Sequence, residues 1–282
     1  MAKKKTDDKP VKKKRRKKPL LWVILLLVVW YYNNFTLKTT HTEYKSDSIV
    51  SPVKAAVISD LHAMRYGISG QAVRECIEKE EPDIIFILGD MYTFGSPHEL
   101  IDIPVEMMTD MVRDGYPVYF VPGEHDNDQE YLAALSAAGV HVMDYKCETI
   151  DINGNVLRIM GIDNVYYSDT FDLSGEFSVS SGCDILMAHI PNYDKFAEFG
   201  ADITLCADTH GGMFRLPFIG PVYDNASGAW FPGLSGIGNI YDKGWFSYDG
   251  GAMFITSGIG ASPAPVRFNN RPEVVIMDIV PE

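Results

Sequence analysis

The stretch PVYFVPGEHD, residues 117–126, joins an unbroken apolar run to a glycine turn and then to three consecutive ionisable residues, Glu124, His125 and Asp126. A strand with one wet face alternates polar and apolar residues, whereas a continuous apolar run reads as a strand covered on both faces, the usual condition of a parallel sheet. Its polar residues then stand at the C-terminal end, where open α/β sheets gather their ligands. Two earlier stretches follow the same pattern, VKAAVISDLH at 53–62 and EPDIIFILGD at 81–90. Amphipathic patterns over 68–80, 97–114 and 128–138 predict helices between and after these strands, with VHVMD at 140–144 as a further strand.

Beyond residue 145 the pattern turns β-rich. KCETIDI and NVLRIMGID flank Asn153-Gly154, a strong hairpin signal, and CDILMAHI, ADITLCADTH, GGAMFITSGIG and PEVVIMDIV supply later strands. At 282 residues the chain accommodates both halves in one α/β domain of two mixed sheets packed as a sandwich, with helices on the outside (α/β/β/α). Residues 211–251 are rich in glycine and aromatics and lack clear periodicity, which predicts a long functional loop. Its Phe214, Phe218, Tyr223, Trp230, Phe231, Trp245 and Phe246 are candidates to cover an acyl chain or a nucleobase, or to pack over a sheet edge.

Charge divides the chain sharply. Residues 1–18 hold eleven Lys or Arg against two Asp, a net +9 in a protein whose overall formal charge is −13, so the remainder carries −22. Directly after this arm, PLLWVILLLVVWYYNNF opens an uncharged segment over 19–37. Its length is close to the roughly 17–20 residues of a membrane helix, and YYNNFTLK offers no small-residue cleavage site for a signal peptidase. The expectation is a single-pass signal anchor: a basic arm over 1–18 in the cytoplasm, a transmembrane helix over 19–37, a stalk or edge strand over 38–52, and a domain over 53–282 outside the cytoplasm. The acidic domain argues against nucleic acid as a partner, since polyanion binding draws its affinity from Lys and Arg. Cys76, Cys147, Cys183 and Cys206 show no metal-binding spacing; Cys76 and Cys206 sit in apolar patterns that predict buried thiols, and one disulfide remains open.

Chemistry concentrates at the strand ends: Asp60 and His62, Asp90, then Glu124, His125 and Asp126, then His189, then Asp208 and His210. Any one of these has a bland explanation as a turn or a satisfied core polar group. Mixed Asp and His groups after five separate apolar strands instead point to a site for Mn, Fe or Zn in which a shared carboxylate bridges two ions. This series resembles the order D-x-H, G-D, G-N-H-D/E, H, G-H-x-H of the calcineurin-like metallophosphoesterase superfamily. The similarity is greatest to its bacterial membrane-associated branch, which includes UDP-diacylglucosamine pyrophosphatase-like enzymes, and THGGMFRLP and the tail ITSGIGASPAPVRFNNRPEVVIMDI carry that part of it.

The resemblance implies that Asp60, His62 and His210 hold one ion, that Asp90 bridges, that His189 joins the second, that His125 gives a proton to the leaving oxygen and that Asp126 orients its ring. Two positions depart from the family's pattern. Glu124 stands where the family has Asn, and Asp208, preceded by Ala207, where it has the first His of G-H-x-H. Both replacements are oxygen donors on the same ion, so we expect a retuned second position that favours Mn over softer-site ions, with Mg, Fe, Ca and Zn as the other candidates. Thr93 and Ala63 also depart from the branch and are expected near the ligands or the substrate. The activity so implied is hydrolysis of a phosphodiester, phosphomonoester or pyrophosphate bond in a small-molecule or lipid substrate. A metal-binding envelope protein without turnover is the competing expectation, and a nucleic-acid binder directed by the basic arm is a third.

Overall fold

The computed structural model describes residues 18–163, 172–180, 182–224, 227–235, 239–262 and 265–282, so residues 1–17 of the basic arm expected over 1–18 fall outside the described residues. The chain opens with helix α1 (Lys18–Phe35) and strand β1 (Lys38–Ser46), then alternates β2 (Val53–Ile58), α2 (Gly70–Glu80), β3 (Ile84–Ile87), α3 (His98–Arg113), β4 (Val118–Phe120), α4 (Gln129–Ala137) and β5 (His141–Val142). There follow β6 (Lys146–Ile152), β7 (Asn155–Gly161), α5 (Leu173–Glu176), β8 (Cys183–Met187), α6 (Tyr193–Phe199) and β9 (Ile203–Cys206). Four two-residue strands, β10 (Arg215–Leu216), β11 (Gly220–Pro221), β12 (Tyr223–Asp224) and β13 (Ala229–Trp230), precede α7 (Pro232–Ser235), β14 (Gly244–Tyr248), β15 (Gly251–Ile255) and β16 (Glu273–Pro281).

Local chemistry sets the element ends. Ser69 accepts the Ala72 amide at the start of α2, and Asp128 accepts those of Glu130 and Tyr131 at the start of α4, each cap being worth roughly 1 kcal/mol. Gly200, at φ +76, closes α6 in the left-handed conformation that glycine adopts freely.

Two six-stranded mixed sheets result, ordered β1-β16-β2-β3-β4-β5 and β14-β15-β9-β8-β7-β6. In the first, β2 to β5 run parallel; in the second, β15, β9, β8 and β7 do. Val57, Phe86, Tyr119, Ile185 and Leu205 fill the space between the sheets, while Val73, Ile77, Met107 and Leu135 pack helices α2 to α4 onto the outer face of the first. Phe196 and Phe199 of α6 cover the second. The expected α/β/β/α sandwich is therefore the observed architecture.

Three expectations need correction. Residues 38–46, expected as a stalk or an edge strand, form the edge strand β1, paired in parallel along its whole length with β16, so the domain begins before residue 53. Strand β14 emerges from the predicted loop, with Trp245 stacked on Tyr44 and donating to Thr42. The expected transmembrane helix over 19–37 is not found: among the described residues no helix is long and apolar enough to cross a membrane. The last turn of α1 belongs to the domain instead. Asn33 and Asn34 are buried, Asn34 clamping both the N–H and the C=O of Arg267 (2.8 and 3.0 Å) and Asn33 accepting from the Asn269 amide. That leaves an apolar stretch from Pro19 to Tyr32, roughly 21 Å at helical rise, against a hydrocarbon core of roughly 30 Å. The four cysteines are free thiols, Cys183 and Cys206 buried and Cys147 exposed.

Candidate metal centre

All the nominated side chains lie in loops that leave the C-terminal ends of β2, β3, β4, β8 and β9, so both sheets contribute to the site. Asp60, His62, Asp90, Asp208 and His210 each have φ between +42 and +64. Left-handed backbone is uncommon outside glycine, and five such residues at one site mark strain held by the surrounding fold. Glycine makes the crowding tolerable: a Cβ at Gly123 would fall on the carboxylate of Asp90, and one at Gly258 on that of Asp60.

Three overlapping groups of ligand atoms lie within 4.8 Å of one another: Asp60, His62 and His210; Asp60, Asp90 and His189; and His62, Asp90 and His125. The Oδ2 of Asp90 stands 3.4 Å from His189 Nε2, 3.7 Å from His62 Nε2 and 3.9 Å from His125 Nε2. Deep in this cluster, Asp60 Oδ1, His62 Nε2 and His189 Nε2 are buried with no hydrogen-bond partner. Buried polar atoms without partners among the described residues are costly, and these three fall in two ligand groups that share Asp60, which fits cations that would satisfy them. The outer bonds agree. His189 Nδ1 donates to the Leu88 carbonyl at 2.5 Å, which makes Nε2 the nitrogen open to a cation once its proton is lost, and His62 Nδ1 lies 3.1 Å from Thr93 Oγ1. Thr93, expected near the ligands, is thus a partner of one.

Electrostatics follow from burial and crowding. Burial pushes the Asp60 carboxyl up to about 7 and lowers His62 to about 4. For His189 burial works downward, but the Asp90 carboxylate 3.4 Å from its Nε2 outweighs it and lifts the ring to about 10. For Asp90 burial works upward, and His189 holds it down to about 2. A cation needs Asp60 ionised and His189 stripped of its Nε2 proton, so filling the centre must release protons. The sign is fixed: below pH 7 both groups carry a proton, between 7 and 10 only His189 does. Apparent Mn affinity is expected to rise with pH, with about two protons released near pH 6 and about one near pH 8.5. Calorimetric titration in buffers of different ionisation enthalpy counts them, and a count of zero at both values would contradict the assignment.

Two expected roles change. Asp126 does not orient His125. Its buried carboxylate accepts the amides of Met91 and Gly123 at 2.7 and 2.6 Å, tying the loop after β3 to the loop after β4, while His125 Nδ1 accepts from the Phe94 amide at 3.2 Å. Nor do Glu124 and Asp208 belong to the tight ligand groups among the described residues. Glu124 is exposed at the mouth, and Asp208, about a third exposed, brings Oδ1 to 3.9 Å from His189 Nε2. The two still sense one another, since the Glu124 charge helps burial to raise the Asp208 carboxyl.

Arg267 is a neighbour that sequence reasoning missed. Fully buried, it donates to the carbonyls of Gly260 and Ser257 at 2.7 Å and stands 3.4 Å from His210 Nδ1, while its backbone is the pair of groups that Asn34 clamps. Its location in RFNNR, within the tail that carries part of the resemblance, is the nearest thing to a local signal.

A family model described as "Calcineurin-like phosphoesterase" matches residues 53–212. Among curated proteins the chain is 26% identical to the uncharacterized protein YpbG of Bacillus subtilis (strain 168), over 81% of each chain. It is 22% identical to the uncharacterized metallophosphoesterase YkuE of the same organism, over 86% of this chain and 85% of that one. It is 24% identical to the phosphodiesterase YaeI of Escherichia coli (strain K12), over 82% and 83%.

Proposed function

Because the chain belongs to the calcineurin-like phosphoesterase family, whose members are metal-dependent phosphoester hydrolases, we propose that it cleaves a phosphoester or pyrophosphate bond at a two-metal centre with a retuned second position. The observation that carries this is the convergence of three unpartnered buried ligand atoms around Asp90. Asp60, His62 and His210 would hold one ion, His189 the other, and Asp90 would be shared. Asp208 and Glu124, on the open side, would complete the second position with oxygen donors, which favours Mn.

Divalent ions there would supply Lewis-acid polarisation of the phosphoryl group and a lowered pKa for an attacking water. The remaining work falls to the chain. With four carboxylates near the pair, an anionic substrate is repelled until both ions offset them, so phosphate binding follows metal loading. His125 accepts from Phe94 N–H at Nδ1, which places the proton of its neutral ring on Nε2. That nitrogen faces Asp90 Oδ2 at 3.9 Å and the side chain is about one-third exposed, so once the ring takes up a second proton at Nδ1 and gives up the Phe94 contact, the imidazolium can pass its Nε2 proton to a leaving oxygen and return to the neutral ring. Asp126 keeps the two loops in register.

The test uses full-length protein in detergent, stripped by chelator and reloaded with Mn, Mg, Ca, Fe or Zn, with elemental analysis alongside hydrolysis of a chromogenic phosphodiester and phosphomonoester. Two Mn per chain with Mn-dependent turnover is expected. Bound metal without turnover under any ion would favour a binding protein, and no bound metal would sink the site.

We propose also that α1 attaches the protein to the cell membrane with the domain on the extracytoplasmic side. Support for attachment comes from the exposed side chains of Leu20 to Val28, apolar on every face of the helix. Protease added outside sealed, right-side-out vesicles should digest the domain; protection would reverse the assigned side.

A further inference from the structure

The last turn of α1 and the tail that follows β15 are bonded into one unit. Asn34 accepts from the Arg267 N–H at 2.8 Å and donates to the Arg267 carbonyl at 3.0 Å, Asn33 accepts from the Asn269 N–H at 2.8 Å, and Trp30 Nε1 donates to the Pro265 carbonyl at 2.7 Å. In the other direction Arg271 donates to Thr36 Oγ1, the Tyr32 hydroxyl and the Leu37 carbonyl at 2.9 to 3.0 Å. An amide that grips both the N–H and the C=O of one residue fixes its register as well as its place, because a slip by one residue breaks both bonds.

The residue so gripped reaches the metal centre. The Arg267 guanidinium donates from Nε to the Gly260 carbonyl and from Nη2 to the Ser257 carbonyl, both at 2.7 Å, and so pins the two ends of the turn 257–260. That turn lies against Asp60. The Gly260 N–H donates to the Asp60 carbonyl at 2.5 Å, the Ile259 N–H donates to the Ser59 carbonyl at 3.0 Å, and a Cβ at Gly258 would fall on the Asp60 carboxylate. His210 is met twice by the same tail: Arg267 Nη2 stands 3.4 Å from its Nδ1, and Asn270 Nδ2 donates to its carbonyl at 2.7 Å. Meeting two carbonyls at fixed angles is what a planar guanidinium does and a lysine ammonium does not.

The far side of the centre is held by other means. His189 Nδ1 is fixed by the Leu88 carbonyl and Asp90 Oδ1 by the His125 N–H, and neither bond involves the tail or α1. The path from α1 therefore ends on Asp60 and His210, which with His62 form one ligand group, and His210 belongs to that group alone.

We propose that Asn34 and Arg267 are positioning residues for the first ion, the one that Asp60, His62 and His210 would hold: the last turn of α1 seats the Arg267 backbone, and the guanidinium seats Asp60 and His210. The proposal rests on the two-metal reading of the centre. It adds a division of that centre into a position supported by α1 and the tail and a position supported by the loops after β3 and β8.

The test is calorimetric titration of Mn into the full-length protein in detergent, in two backgrounds: His189→Ala, which leaves the first position to fill, and His210→Ala, which leaves the second. Adding Asn34→Ala is expected to weaken Mn binding by about 10-fold in the first background, the low end for loss of an outer partner. In the second background the change should stay within about 2-fold, as for independent sites. Arg267→Lys keeps the charge but loses the fork, and should weaken the first position by about 10- to 100-fold while sparing the second. Thermal unfolding of the chelated protein shows whether that variant folds, and if it does not, Asn34→Ala decides. Equal losses in both backgrounds would reduce the clamp to general support of the fold and overturn the proposal. So would an unmoved first position in Asn34→Ala, or parent-like affinity in folded Arg267→Lys; two Mn in the parent chain would then keep the two-metal reading standing. A parent chain that binds no Mn would remove that reading and the proposal with it.

Discussion

Asp90→Asn is expected to lose at least one of the two Mn ions and to lower turnover by on the order of 10³-fold. Asp90 is a member of two of the three ligand groups, and its Oδ2 is the atom that three histidines face. An amide preserves shape and can still accept the His125 amide at the Oδ1 position, but it brings no charge to a centre where two cations must be offset. It also deprives His189 of the partner that lifts its pKa, so the variant should release fewer protons per metal bound. Elemental analysis and steady-state kinetics check both statements. Two retained Mn with turnover within 10-fold of the parent would show that Asp90 does not bridge.

His125→Ala is expected to separate proton donation from metal binding. General acid assistance contributes roughly 10²- to 10⁴-fold, and only where the departing oxygen needs a proton. The variant should therefore lose that factor on an alkyl ester, with its basic alkoxide, and far less on a p-nitrophenyl ester. Metal content should hold, because His62 and Asp90 each have partners in another ligand group. Loss of metal together with equal losses on both esters would make His125 a ligand.

What the sequence made legible was whatever burial prints locally. Strands β2, β3 and β4 lie with both faces covered, so each appears as an uninterrupted apolar run, and the ligands stand at the ends because the next residues leave the sheet. The parts that were missed depend on distant partners. Strand β1 reads KTTHTEYKS, a polar segment that becomes a strand only because β16 lies alongside it. The burial of Asn33 and Asn34 at the end of an apolar helix depends on a loop at 265–269. Arg267 carries no periodicity at all. The resemblance implies that Asp126 orients His125, whereas its carboxylate is used by amides three and thirty-five residues away. Glu124 occupies the family's Asn position and is an oxygen donor, yet it faces solvent.

The pairing of β1 with β16 also constrains the order in which the molecule can be made. In the first sheet β16 lies between β1 and β2, so two of the earliest strands to leave the ribosome acquire their shared neighbour only when the final nine-residue strand has been synthesised. Contacts of such sequence separation pay their loop-closure entropy late and slow the folding of the sheet that contains them. Until then β2 presents an open hydrogen-bonding edge, the kind of edge that invites pairing with another chain. A chain tethered by α1 would pass through that interval held at one place and kept apart from its copies, while a detached copy would pass through it free to aggregate.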